Sequence, residues 1–160
     1  MKKQALRTGL FVMVLLLALP SLSFAQESVQ GTGTLHAEGK GTVTIQARPG
    51  TVDISGSGVL TLVDLAGDAA IQVTGSGTRS TEMQGKHTVI RYRGFNGQAH
   101  IEGSHYIVRV RGRHLVVDAR GTGRALLQGQ GTYEVNGTQG NWTINGVAIQ
   151  FDAPSQQLDE

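Results

Sequence analysis

Six arginines carry the most chemistry in this chain. Arg91 and Arg93, then Arg109 and Arg111, lie two apart and recur at a spacing of 18, and Arg120 and Arg124 follow. Alternate residues of an extended strand point to one side. The first four therefore share an outward face, with Arg120 and Arg124 on neighbouring strands. Such a face holds phosphate, sulfate or carboxylate groups. Charge supports the choice: residues 79–124 contain nine Lys or Arg against Glu82, Glu102 and Asp118, while 26–78 and 125–160 sum to −3 and −4. The competing reading is a solvated ladder of arginines and acids, worth about 0.2–1 kcal/mol per cross-strand pair.

Other constellations promise less. Polysaccharide cleavage needs carboxylates converging within about 5–10 Å. Asp53, Asp64, Asp68, Glu102, Asp118 and Glu134 read as dispersed, with no two at i, i+2 on one strand. His87, His105 and His114, spaced by 18 and nine, would meet only if the strands stack, and spacing alone sets no ligand geometry. No metal, catalytic or cofactor site is expected. Nucleic acid is not expected as a partner, because base stacking needs exposed aromatics. Tyr92, Tyr106, Tyr133 and Trp142 read as inward, and only Phe95, in a turn, reads as outward. The same shortage argues against a sugar-stacking site. Ser57 and Ser76 have no His or Asp placed to activate them, and no helix follows the Gly-x-Gly clusters to hold phosphate.

The elements that must position these residues are strands. Val43/Ile45, Val52/Ile54, Leu60/Leu62, Ile90/Tyr92, Val108/Val110, Leu115/Val117 and Ala125/Leu127 each alternate with polar residues, the pattern of half-buried strands. Glycines divide the runs, falling at Gly85, Gly94, Gly103, Gly112 and Gly121, one every nine residues. Gly75 to Gln84 has one large apolar residue, Met83, and reads as a loop or irregular strand between 31–74 and 85–151. The chain is expected to be all-β, one repeat domain over 31–151.

Two architectures fit the period. In a β-solenoid of about 18 residues per coil, two nine-residue segments make a coil and coils stack in register. Ile90 then lies over Val108, Tyr92 over Val110, Ala99 over Val117, His100 over Asp118 and Glu102 over Arg120. Arg91 over Arg109 and Arg93 over Arg111 would be unfavourable at the strand spacing of about 4.8 Å. The alternative is an antiparallel β-meander forming a sandwich or barrel, which separates the arginines. The solenoid is the expectation carried forward.

The units Val52-Asp-Ile-Ser-Gly-Ser-Gly58, Val59-Leu-Thr-Leu62 and Ile71-Gln-Val-Thr-Gly-Ser-Gly77 resemble the head GIN domain, mainly over 31–77. The resemblance implies an adhesin-like right-handed β-helix of secreted bacterial proteins, and it brings no catalytic residues with it.

The ends suggest export. Lys2, Lys3 and Arg7 precede the apolar stretch Leu10 to Leu19, and Ser23-Phe-Ala25 matches a cleavage site. Residues 1–25 are thus expected to be a signal peptide cut near Ala25-Gln26, and the protein to be periplasmic, cell-surface or extracellular. Without residues 1–25 the chain has 11 basic and 12 acidic residues, so its charge is about −1 rather than +2. There is no cysteine, hence no disulfide, and no later segment long and apolar enough to span a membrane. Residues 26–30 read as a polar lead-in and 152–160 as an acidic mobile tail. The expected role is a non-catalytic structural or adhesive protein of the envelope or matrix, self-associating through the terminal strand with Val147, Ile149 and Phe151. The alternative role is binding an anionic polysaccharide or surface polymer through the arginines.

Overall fold

The structure is a computed structural model that describes residues 33–152; the expected signal peptide, lead-in and most of the acidic tail lie outside the described residues. Six strands follow in chain order: β1 (Gly33–Asp64), β2 (Ala70–Gln84), β3 (His87–Gly103), β4 (Tyr106–Val135), β5 (Thr138–Trp142) and β6 (Val147–Phe151). The all-β expectation holds. Residues 75–84 belong to a paired strand, with one register shift between Ser76 and Thr78.

Every pairing is antiparallel. That overturns the right-handed β-helix, whose in-register coils must run parallel, and agrees with the antiparallel alternative. The strand order is not that of successive hairpins, however. Across the sheet run 70–84, 88–103, 50–64, 106–121, 33–47 and 123–135, and then β5 and β6 side by side on the last. The 50–64 and 33–47 parts of β1 thus flank the same segment of β4.

This register forces a fold within each strand. Ala47 pairs with Tyr106 and Gly50 with Gly121, so the two ends of 106–121 are tied to residues three apart. Fully extended, that segment would span about 50 Å, whereas three residues of chain reach about 10 Å. The strands must therefore double back, and they do so along a glycine line. Gly58 pairs with Gly112, Gly112 with Gly41 and Gly41 with Gly129. A Cβ on Gly112 would collide with the Ser57 carbonyl, and Gly58 has φ +153. No residue with a side chain fits that line without displacing the neighbouring backbone.

Each long strand thereby becomes two arms. The first arms are 33–39, 50–56, 97–103, 115–121 and 131–135; the second are 41–47, 58–64, 88–93, 106–112 and 123–129. Inward residues of both sets, such as Leu35, Val52, Ile101 and Val117 against Ile45, Leu62, Ile90 and Val108, join one buried cluster. With no helix among the described residues to cover them, the arms cover each other, as two sheets do in a sandwich. Trp142 plugs the end beside β5. Its indole Nε1 donates to the carbonyls of Glu38 and Thr132, both at 3.2 Å, and its ring lies against Gly39, Gly129 and Gly131. Tyr106 is buried with its hydroxyl donating to the Gly50 carbonyl at 3.1 Å. Phe95, expected outside, is also core: it pairs with Gly58 and turns inward at the bend.

Candidate anion-binding face

The second arms place four arginines on one outer face. Arg93 and Arg111 both pair with Val59, and Arg91 and Arg109 both pair with Thr61. The four form a two-by-two array, about 7 Å along each strand and about 10 Å across it. The spacing of 18 thus has a simple meaning. Residues 18 apart are second neighbours with an antiparallel strand between them, so the arginine stacking that counted against a direct coil does not arise. Arg93, Arg109 and Arg111 are exposed. Arg91 is partly buried, and its guanidinium lies 3.5 Å from Glu82 on β2. Among the described residues it is the one arginine with an ion pair. Outward residues on the interleaved strands are Val59, Thr61 and Val63 on one side and Thr42, Thr44 and Gln46 on the other, none of them acidic.

The other two arginines divide. Arg124, opposite Gln46, lies on this same face, one strand further on. Arg120 lies on the first arms, in a row with Glu102, Thr51 and Thr34. It does not belong to the array. Two further cations, which the residue pattern did not single out, stand at the bend between the two outer faces: Lys40 and Arg113. They flank a groove of about 570 Å³ along the bend, floored by Gly41, Gly112, Gly129 and Trp142. The available signal was position, since both residues sit beside the glycines at which the strands fold.

The first arms turn a different surface outward. One row crosses five strands as His100, Asp53, Asp118, His36 and Glu134. Asp53 and Asp118 face each other on adjacent strands, which puts their Cβ atoms about 5 Å apart. The expectation that the carboxylates are dispersed is therefore overturned. It failed because Asp118 meets Asp53 through an antiparallel register that spacing does not reveal. Each aspartate also holds an imidazole on its far side: His100 Nδ1 is 2.6 Å from Asp53, and His36 Nδ1 is 2.7 Å from Asp118. His36 Nε2 lies 3.1 Å from Glu38. Both ring nitrogens of His36 donate together only when the ring carries both protons, and the hydrogen bond it donates to the Asp118 carboxylate holds its pKa above the usual value.

His87, His105 and His114 are not brought together. His105 bonds Gln46 and Arg48 at the start of β4, His87 opens β3, and His114, with φ 52, sits at the bend. Among the described residues no group of three or more His, Cys, Asp or Glu is placed to hold a metal ion. No described helix is long and apolar enough to cross a membrane. Val147, Ile149 and Phe151 pair along 123–127, with Ile149 and Phe151 buried and Val147 packed on the core. No family model, curated protein or solved structure matches the chain.

Proposed function

We propose that this is an exported, non-catalytic binding module that holds an anionic polymer on the second-arm face. One observation carries the reading: Arg93, Arg109 and Arg111 are exposed together, on a face whose intervening strands carry no carboxylate. A solvated charge ladder would alternate arginine with acid; here arginine alternates with Val59 and Thr61. Carboxylated or sulfated polysaccharides suit such a surface, because guanidinium groups pair with either anion. Heparin or alginate should bind the chain from Gln26 onward, and the double variant Arg109→Ser/Arg111→Ser should lose about tenfold or more in affinity. Unchanged affinity in that variant would refute the assignment.

The structural or adhesive role is the second reading, favoured by the sheet's open side. β2 pairs with β3 along one edge only, and its 15 residues leave the other edge without a partner among the described residues. Unpaired edges template further pairing, which makes self-association expected there as well as at Val147 to Phe151. Arg79 and Thr81, at inward positions opposite Tyr92 and Ile90, blunt the far half of β2, leaving Ile71 and Val73 as its sticky part. Light scattering on the wild type and on Ile71→Lys tests this: equal masses, both monomeric, would rule it out.

A further inference from the structure

The arginine face is not uniformly polar, and the way its apolar residues fall narrows the class of anion. Among the described residues the exposed large hydrophobics are Val59, Met83, Leu126 and Ile144. Two of the four border the array, and a third lines the bend groove. Val59, 39% exposed, lies between Arg93 and Arg111. Leu126, 41% exposed, faces Thr44, whose other neighbour is Arg109. Ile144 is 83% exposed and lines the bend groove beside Lys40 and Arg113. Its turn is held close to that face: the Gly129 N–H donates to the Thr143 carbonyl at 3.1 Å, and a Cβ on Gly146 would lie 3.6 Å from Leu126. Val63 and Ile107, half-buried, extend the apolar strip along the same arms.

Anion pairing accounts for the arginines and leaves the exposed Ile144, Leu126 and Val59 without a role. An anionic lipid surface gives them one, because aliphatic residues enter the acyl boundary while arginines and lysines reach the headgroups. We propose that the second-arm face and the bend groove dock on an anionic lipid surface, with Ile144, Leu126 and Val59 entering the interface and Lys40, Arg93, Arg109, Arg111 and Arg113 holding headgroup phosphates. The groove floor of glycines and the Trp142 ring, with few polar atoms, suits an acyl chain. This inference rests on the reading of the second-arm face as anion-binding, with lipid headgroups as the anions instead of a polymer.

The test compares three probes on the chain from Gln26 onward, which contains every described residue: phosphatidylglycerol vesicles, phosphatidylcholine vesicles and heparin. Co-flotation with phosphatidylglycerol should exceed that with phosphatidylcholine at least tenfold. Ile144→Ser, in an exposed turn, should reduce vesicle binding about tenfold and leave heparin binding within twofold. Arg109→Ser/Arg111→Ser should weaken both. Heparin binding without binding to phosphatidylglycerol vesicles would overturn the lipid inference and leave the polymer reading standing. Equal vesicle binding by Ile144→Ser and wild type would also overturn it. Failure of both anionic probes would remove the two readings together.

Discussion

The 33–39 and 41–47 arms of β1 lie in the same strand, pair antiparallel with the matching arms of β4 (115–121 and 131–135 for the first, 106–112 and 123–129 for the second) and bury their inward residues in the same core. They differ in what they turn outward. The first arms present mostly acids and imidazoles, His36, Asp53, Glu38, His100, Glu102, Asp118 and Glu134, with Arg120 among them, whereas the second present Thr42, Thr44, Val59, Arg91, Arg93, Arg109 and Arg111. Since backbone pairing and burial are alike on both sides, neither charge pattern is needed to form the sheet. Burial constrains the inward half of each strand and leaves the outward half free to take on either sign. The comparison also separates two kinds of charge management. Asp53, Asp118 and Glu38 on the first arms are paired with imidazoles, while among the described residues Arg93, Arg109 and Arg111 on the second have no ion-pair partner.

The largest expected effect comes from the line both faces share. Gly112→Val should destabilise the protein by about 3 kcal/mol or more, since its Cβ meets the Ser57 carbonyl and overpacks the bend. Arg111→Val, one residue away and outward, should stay within about 1 kcal/mol. Equal shifts in thermal midpoint for the two would show that the arms do not depend on a common glycine line.

Charge reversal breaks the comparison next. Arg109→Glu/Arg111→Glu should abolish heparin binding, whereas Asp53→Asn on the opposite face should leave it within about twofold. If Asp53→Asn altered binding as much as the reversal, net charge rather than the arginine array would be the determinant. A salt series sharpens this further. Wild-type affinity should fall about tenfold or more as ionic strength rises from 0.05 to 0.3 M, a range over which screening closes in to contact distances. The double reversal should have no such dependence left to lose.

The smallest effect is the pH response of the acidic face. His36 has a raised folded pKa, so its contribution is fully present below the unfolded value near 6.5 and is lost as pH rises through the folded value. The ring and Asp118 are both about half exposed, so solvent screening keeps the gain to about 1 kcal/mol or less. The thermal midpoint should fall modestly from pH 6 to pH 8, and Asp118→Asn should flatten that slope. A midpoint that rises with pH in wild type, or an unchanged slope in the variant, would remove the His36–Asp118 pair from the account.

Strands and their buried sides were legible from alternation alone, because burying an apolar side chain depends on its own parity and on little else. Ile45, Leu62, Val108 and Val117 are buried as expected. The shared outward side of Arg91, Arg93, Arg109 and Arg111 was legible for the same reason. Phe95 was misread because the strand turns a corner there, and parity counting does not survive a bend. The Asp53–Asp118 contact and the separation of Arg120 from the array were out of reach, since both depend on which strand lies beside which. Nine-residue glycine spacing marked the arm length; it held no information on the neighbour's direction. Every residue but proline offers the same N–H and C=O to an adjacent strand, so a coil stacked on its own successor and a coil interleaved with a returning chain satisfy the backbone equally well. The amino-acid order by itself determined which side chains face inward and which charges face out. Only the tertiary structure, by running 50–64 between 88–103 and 106–121, decided which of those charges meet.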